Sequence, residues 1–211
     1  MTELKQLLAR WDSGDGKPYK GSLIDWSAYE ADPDSLGCMC AQGQVLHGVG
    51  GWSPEKLRNT NQIEADSETA KLLNISRAHA ILLRNINDSV DGAPSIVLTD
   101  PGKVLGGEWS KLLDFWWHMD QMDGGQWAAA GAAAARAAAW AAAAWAAAWA
   151  AARAAAAWDA ARDAARAAAG EIQGAHLFRA ADRPFYFLPL FGFSSPDEIP
   201  ARPANYGEAK L

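Results

Sequence analysis

Apolar side chains at Leu4, Leu7, Leu8 and Trp11 repeat with the three-and-four spacing of one helix face and predict a helix over 3–11. Asp12-Ser13-Gly14-Asp15-Gly16 and Pro18 break that pattern. Residues 21–37 show no period, with Asp32-Pro33-Asp34 as turn chemistry. Cys38 to Val49 predicts a helix of small residues, stopped by Gly50-Gly51. Ser53 caps and Pro54 opens a helix over 54–61. Asp66-Ser67-Glu68 starts another that runs to Leu73, and Asn74-Ile75-Ser76 interrupts it. Ser76 then caps a helix over 77–86 that places Ala80, Leu83 and Ile86 on one side. After a loop from Asp88 to Pro94, Ile96-Val97-Leu98-Thr99 is the one strand-like run, ended by Asp100-Pro101-Gly102. Glu108 to Met119 predicts a helix rich in Trp, Leu and Phe, and Asp123-Gly124-Gly125 a hinge or cap.

The pattern then changes character. Of the 43 residues in 127–169, 31 are alanine. Alanine is the strongest helix former, so propensity alone predicts one long helix, with Gly131 as its single internal breaker and Gly170 as its end. Such a rod measures about 65 Å at 1.5 Å per residue. A compact chain of this size is roughly 45 Å across. The helix therefore either folds back or finds a partner along its length. Trp127, Trp145 and Trp149 fall within about 40° of one another on a helical wheel, while Trp140 and Trp158 share a second face more than about 100° away. An ordinary surface helix has one apolar stripe; this one has two, and methyl groups between them permit close approach. Asp159–Arg162 and Asp163–Arg166 are i,i+3 pairs that mark its last third as solvated. A short helix over 171–181 follows, and then Phe185 to Phe193, which holds four of the six phenylalanines and demands burial. Pro196, Pro200 and Pro203 make the remainder extended.

These elements predict a mainly α protein with little or no β structure, built round one long Ala/Trp-rich helix. Three regions divide the chain: an N-terminal helical region over 1–125, the long helix over 126–170 and an aromatic tail over 171–211, integrated in one domain.

Composition narrows the classes. The chain has 211 residues and a net charge of −6, which opposes broad affinity for nucleic acid. Residues 137–152 carry no charge, but 16 positions fall short of the about 20 that a membrane span needs. Cys38 and Cys40 are too few and too close for a disulfide framework and point to a reducing compartment. The N-terminus is charged and amphipathic, unlike a signal peptide.

Candidate chemistry is sparse. Cys38-Met39-Cys40 with His47 supplies too few ligands for zinc and would need a nearby base to act as a nucleophile. His79 and His118 sit among apolar neighbours, as structural histidines do. Gly48-Val49-Gly50-Gly51 and the glycines of 102–107 follow no strand into a phosphate-binding loop, and the turn aspartates lack calcium-loop spacing. No catalytic residue, metal ligand or cofactor is assigned.

The segment Glu68 to Leu83 resembles the helix-turn-helix of small excisionase-like and antitoxin-like regulators. Ala70 stands where the two helices touch, Asn74 at the turn and Ile75 at the buried position after it. That resemblance implies DNA contacts by Ser76, Arg77 and His79, although Ala80 replaces the usual branched residue and acidic side chains surround the few basic ones.

Taken whole, the chain resembles uncharacterised proteins from phages of actinobacteria. The residues that carry this are Asp25 to Pro33, Gly37-Cys38-Met39-Cys40-Ala41-Gln42-Gly43, Asn87-Asp88-Ser89, the Ala/Trp/Arg/Asp tract and Gly170 to Gly174 with Phe185 to Phe193. The resemblance transfers no activity. It implies a viral accessory protein in a bacterial cytoplasm, or a virion part. The two-faced tryptophan helix motivates the function expected, which is non-enzymatic: binding of a host protein, or self-association into a homo-oligomer, through Trp140, Trp145, Trp149 and Trp158. Alternatives are a helix-turn-helix DNA-binding regulator and a thiol- or histidine-dependent enzyme or small-ligand binder. A nucleic-acid partner is disfavoured and no membrane is involved.

Overall fold

The structure is a computed structural model that describes residues 3–89, 94–145, 185, 187–204 and 206, with side chains in 137–145 left aside. The fold is mainly helical, and no strand or sheet occurs among the described residues. Two compact units form: one from residues 1–117 with 202–211, the other from 118–201.

The first unit is organised round a helix whose first six residues are all buried. Helix α1 (Glu3–Ser13) buries Leu4, Leu7, Leu8 and Trp11, the stripe read from the sequence. A short helix, α2 (Trp26–Ala31), lies in the stretch expected to be irregular; Asp25 caps it by accepting from the Ala28 N–H at 3.1 Å. The small-residue helix is shorter than expected. Leu36–Cys38 forms a 3₁₀ turn, and α3 runs Ala41–Gly48. Ala41 through Leu46 are all buried, the polar Gln42 and Gln44 included. Gly43 is required there: a Cβ would lie 2.1 Å from the Leu23 carbonyl oxygen. Gln44 satisfies its buried amide completely. Its Oε1 accepts from the Trp11 indole at 2.8 Å, and its Nε2 donates toward the Leu36, Met39 and Gly16 carbonyls at 2.8–3.1 Å. One side chain thereby ties α1, the following loop and the 3₁₀ turn to α3.

Helix α4 (Pro54–Asn59) has Ser53 as its cap, with Pro54 in its first turn. Helix α5 (Gln62–Leu73) begins earlier than Asp66, because Asn61 accepts from the Glu64 N–H at 3.0 Å and caps it. It ends at Asn74, whose φ of 55° is left-handed; the Ile75 N–H returns to the Ala70 carbonyl at 3.0 Å and closes the turn. Ser76 accepts from the His79 N–H at 3.0 Å and opens α6 (Arg77–Ser89).

The strand expected at 96–99 is a correction. Ile96–Thr99 is a single helical turn, α7, with Val97 and Leu98 buried. A β-branched run needs a neighbouring strand to pair with, and none is described; the Ser95 carbonyl instead accepts from the Leu98 and Thr99 N–H groups. Helices α8 (Pro101–Leu105) and α9 (Trp109–Gln121) follow. The chain returns to this unit at Arg202. Its guanidinium pairs with the buried Asp114 carboxylate and donates to the Ser110 carbonyl at 2.8 Å and the Tyr206 carbonyl at 3.0 Å.

In the second unit, the tract begins with a reciprocal cap. Asp123 Oδ1 accepts from the Gln126 N–H at 2.8 Å, and Gln126 Oε1 accepts from the Asp123 N–H at 2.9 Å. Helix α10 then runs Gly124–Trp145, straight through Gly131, where added bulk would meet nothing within 4 Å. The rest of the tract, to 169, and the helix expected over 171–181 lie outside the described residues. The aromatic tail turns once as a 3₁₀ helix, Leu188–Phe191. Phe185, Phe187 and Leu188 are buried. No described helix is long and apolar enough to cross a membrane.

Candidate functional site

The helix-turn-helix segment folds as its residues suggest and loses the chemistry that the resemblance implies. Ser76 is buried and spends its hydroxyl on the start of α6. His79 is 1% exposed and donates its Nε2–H to the Val97 carbonyl at 2.7 Å. Two of the three expected DNA-contacting side chains therefore face the interior, and Arg77 is exposed. The nearby cations are engaged: Lys71 pairs with Glu68, and Arg84 with the buried Asp66. This surface offers base edges and phosphates little to meet.

His79 is a core histidine. Burial, opposed by its bond to Val97 and helped by the Arg202 charge, lowers its pKa from 6.5 to about 4. Its Nδ1 and the indole N–H of Trp116, whose ring centroid lies 6.1 Å away, have no hydrogen-bond partner among the described residues.

Both thiols are free and buried. Cys38 donates to the Ser35 carbonyl at 3.0 Å, and burial raises its pKa. Cys40 caps α3 by accepting from the Gly43 N–H at 3.4 Å, and burial raises its pKa to about 11. A thiol held protonated is a poor nucleophile. His47 puts its Nδ1 on the Trp52 carbonyl at 2.6 Å. Among the described residues, no group of three or more His, Cys, Asp or Glu could hold a metal ion.

The densest polar constellation is one the sequence reading missed. Asp66, 5% exposed, accepts from Arg84 through Nε at 3.3 Å and Nη2 at 3.2 Å. Gln42 adds a bond to the same carboxylate at 2.8 Å and Gln62 one at 3.2 Å; Gln62 also reaches Gln42 Oε1 at 2.8 Å, and Gln42 reaches the Ala80 carbonyl at 3.0 Å. The cluster joins α3, α5 and α6. Asp66 accepts four hydrogen bonds here and Gln42 makes three, so the cluster ties three helices together. Two glutamines inside an otherwise apolar run at 41–46 were the available signal.

The second unit contains an open groove of about 410 Å³. The last residues of α9, one flank of α10 and the tail form it. Ala129, Ala130 and Ala133 make a methyl floor on α10, Leu190, Phe191 and Phe193 line the tail side, and Arg136 also lines it. Aromatic contacts brace the walls: His118 meets Phe193 edge-on at 5.0 Å, and Phe191 meets Trp127 at 6.2 Å. Burial lowers the pKa of His118. Trp127 is 37% exposed.

Of the four tryptophans expected to bind or pack, Trp140 and Trp145 lie on the described backbone of α10 with side chains outside the described residues. Trp149 and Trp158 lie outside the described residues altogether. No family model matches the chain, and no curated protein or solved structure matches it either.

Proposed function

We propose that this protein acts by binding, without catalysis: it is a phage accessory protein that engages a host protein, or a second copy of itself, through its Ala/Trp-rich helix in the host cytoplasm or the virion. The observation that carries the reading is the start of α10. Gln126, Ala128 and Ala129 are exposed there and the Trp127 indole is more than a third exposed, so a firmly capped helix presents apolar surface and methyl groups outward. Large indoles on a helix of small residues are suited to interfaces, because they cover much area at little conformational cost. The buried thiols support the reading indirectly. Neither is arranged as a nucleophile, and reduced cysteines fit a cytoplasm. The viral context rests on the sequence resemblance alone.

The test is the mass of the pure chain by light scattering, alongside affinity capture from a bacterial lysate, with a variant carrying Ala at Trp140, Trp145, Trp149 and Trp158 as control. Association or capture that the variant loses is the expected result. A monomer whose captured set is the same with and without the tryptophans overturns the reading.

A further inference from the structure

The groove in the second unit differs from the rest of the chain in how its charge is arranged. Its floor and tail wall are methyl, leucyl and phenyl groups. Its volume lies in the range of small-molecule sites, about 300–1,000 Å³. Arg136 is the sole formal charge among the described residues that line it; no carboxylate is among them, although acidic side chains outnumber basic ones in the chain, 25 to 19. Ala129, Ala133 and Arg136 follow one another along a face of α10 over about 10 Å. The row of alanines on this face therefore ends at Arg136, and a guanidinium fork matches a carboxylate.

We infer that this groove is a binding site for a small amphiphilic carboxylic acid, its apolar body lying along Ala129, Ala130 and Ala133 between α10 and the tail, and its carboxylate paired with Arg136. An alkyl chain alone would gain the apolar contact but leave the guanidinium unused. An amphiphilic cation would meet like charge. Ala129 belongs to both this groove and the surface proposed above for association, but the inference does not depend on that reading.

Octanoate, octanol and octyltrimethylammonium share one apolar body and differ in charge, and each is titrated into the full chain by calorimetry. Octanoate is expected to saturate and to bind about tenfold tighter than octanol, with the ammonium weakest. Arg136→Gln should bring octanoate down to the octanol level without moving octanol, and Arg136→Lys, which keeps the charge but loses the fork, should restore only part of the difference. Arg136 is exposed, so these variants keep the fold, which circular dichroism checks. Ala133→Leu, which fills the floor, should weaken both ligands. The inference is overturned if octanoate shows no saturation up to about 10 mM, if octanol or the ammonium binds equally well, or if Arg136→Gln leaves octanoate binding unchanged.

Discussion

Arg84 grips Asp66 through two nitrogens, and the carboxylate it holds is among the most buried charged groups described. The pair sits where α3, α5 and α6 meet, and Gln42 and Gln62 both donate to the Oδ1 of the same carboxylate. Substituting Arg84 by Ala strands a buried carboxylate with two amide donors. Removing one member of such a pair costs about 3 kcal/mol or more. Urea unfolding of R84A should show that loss; a change within about 0.5 kcal/mol, typical of a surface position, would mean that the cluster is idle.

Gly43 admits no side chain. Its Cβ would press on the Leu23 carbonyl, which is backbone and cannot rotate away, and Ala41 through Leu46 of α3 are all buried. Gly43→Ala should therefore destabilise by about 2 kcal/mol or more, despite the higher helix propensity of alanine. Gly131→Ala is the matched control. It adds the same methyl group where nothing lies within 4 Å, and should stabilise α10 by up to about 1 kcal/mol. Thermal melts of the two variants should move in opposite directions.

Acid should loosen the first unit through His79. Its folded pKa, about 4, lies below the ordinary 6.5, so folding favours the neutral ring. The unfolded chain then binds more protons between these values, and stability falls as pH drops. The contribution is whole above pH 6.5 and gone below about pH 4, on the order of 3 kcal/mol in total. His79→Gln removes this titration. Its stability should be flatter across that window than that of the parent chain, and parallel curves would refute the assignment.

The cysteines should be silent in the native protein. With Cys40 pushed up to about 11 and Cys38 also raised, both thiols stay protonated near neutrality. A disulfide reagent at pH 8 should label neither until denaturant is added, whereupon both react. Rapid labelling of the folded chain would reopen thiol chemistry.

How much of this was legible depended on whether the signal was local. Ser53, Asn74 and Ser76 announce helix ends because each acts on backbone within a few residues of itself, and the structure uses all three. Asn61 reads as the last residue of a helix over 54–61, but α4 stops at Asn59 and Asn61 caps the next helix instead. Ile96–Thr99 looked like a strand because β-branched propensity is only realised against a partner, and tertiary context made it a helical turn. The burial of Gln42, Gln44 and Asp66 depends on partners that are 18 to 38 positions away or in another helix, which no window along the chain can see. The groove was hidden for the same reason: its two sides are set by α10 and by a tail more than 50 residues later, and neither reads as half of a pocket.

Arg202 and Asp114 complete one another across 88 positions of chain. During synthesis the ribosome must therefore deliver every alanine of the tract before the first unit can receive its closing cation. The acceptor on α9 lacks this cation until then. The first unit is therefore completed only after the most helix-prone stretch of the polypeptide has been made.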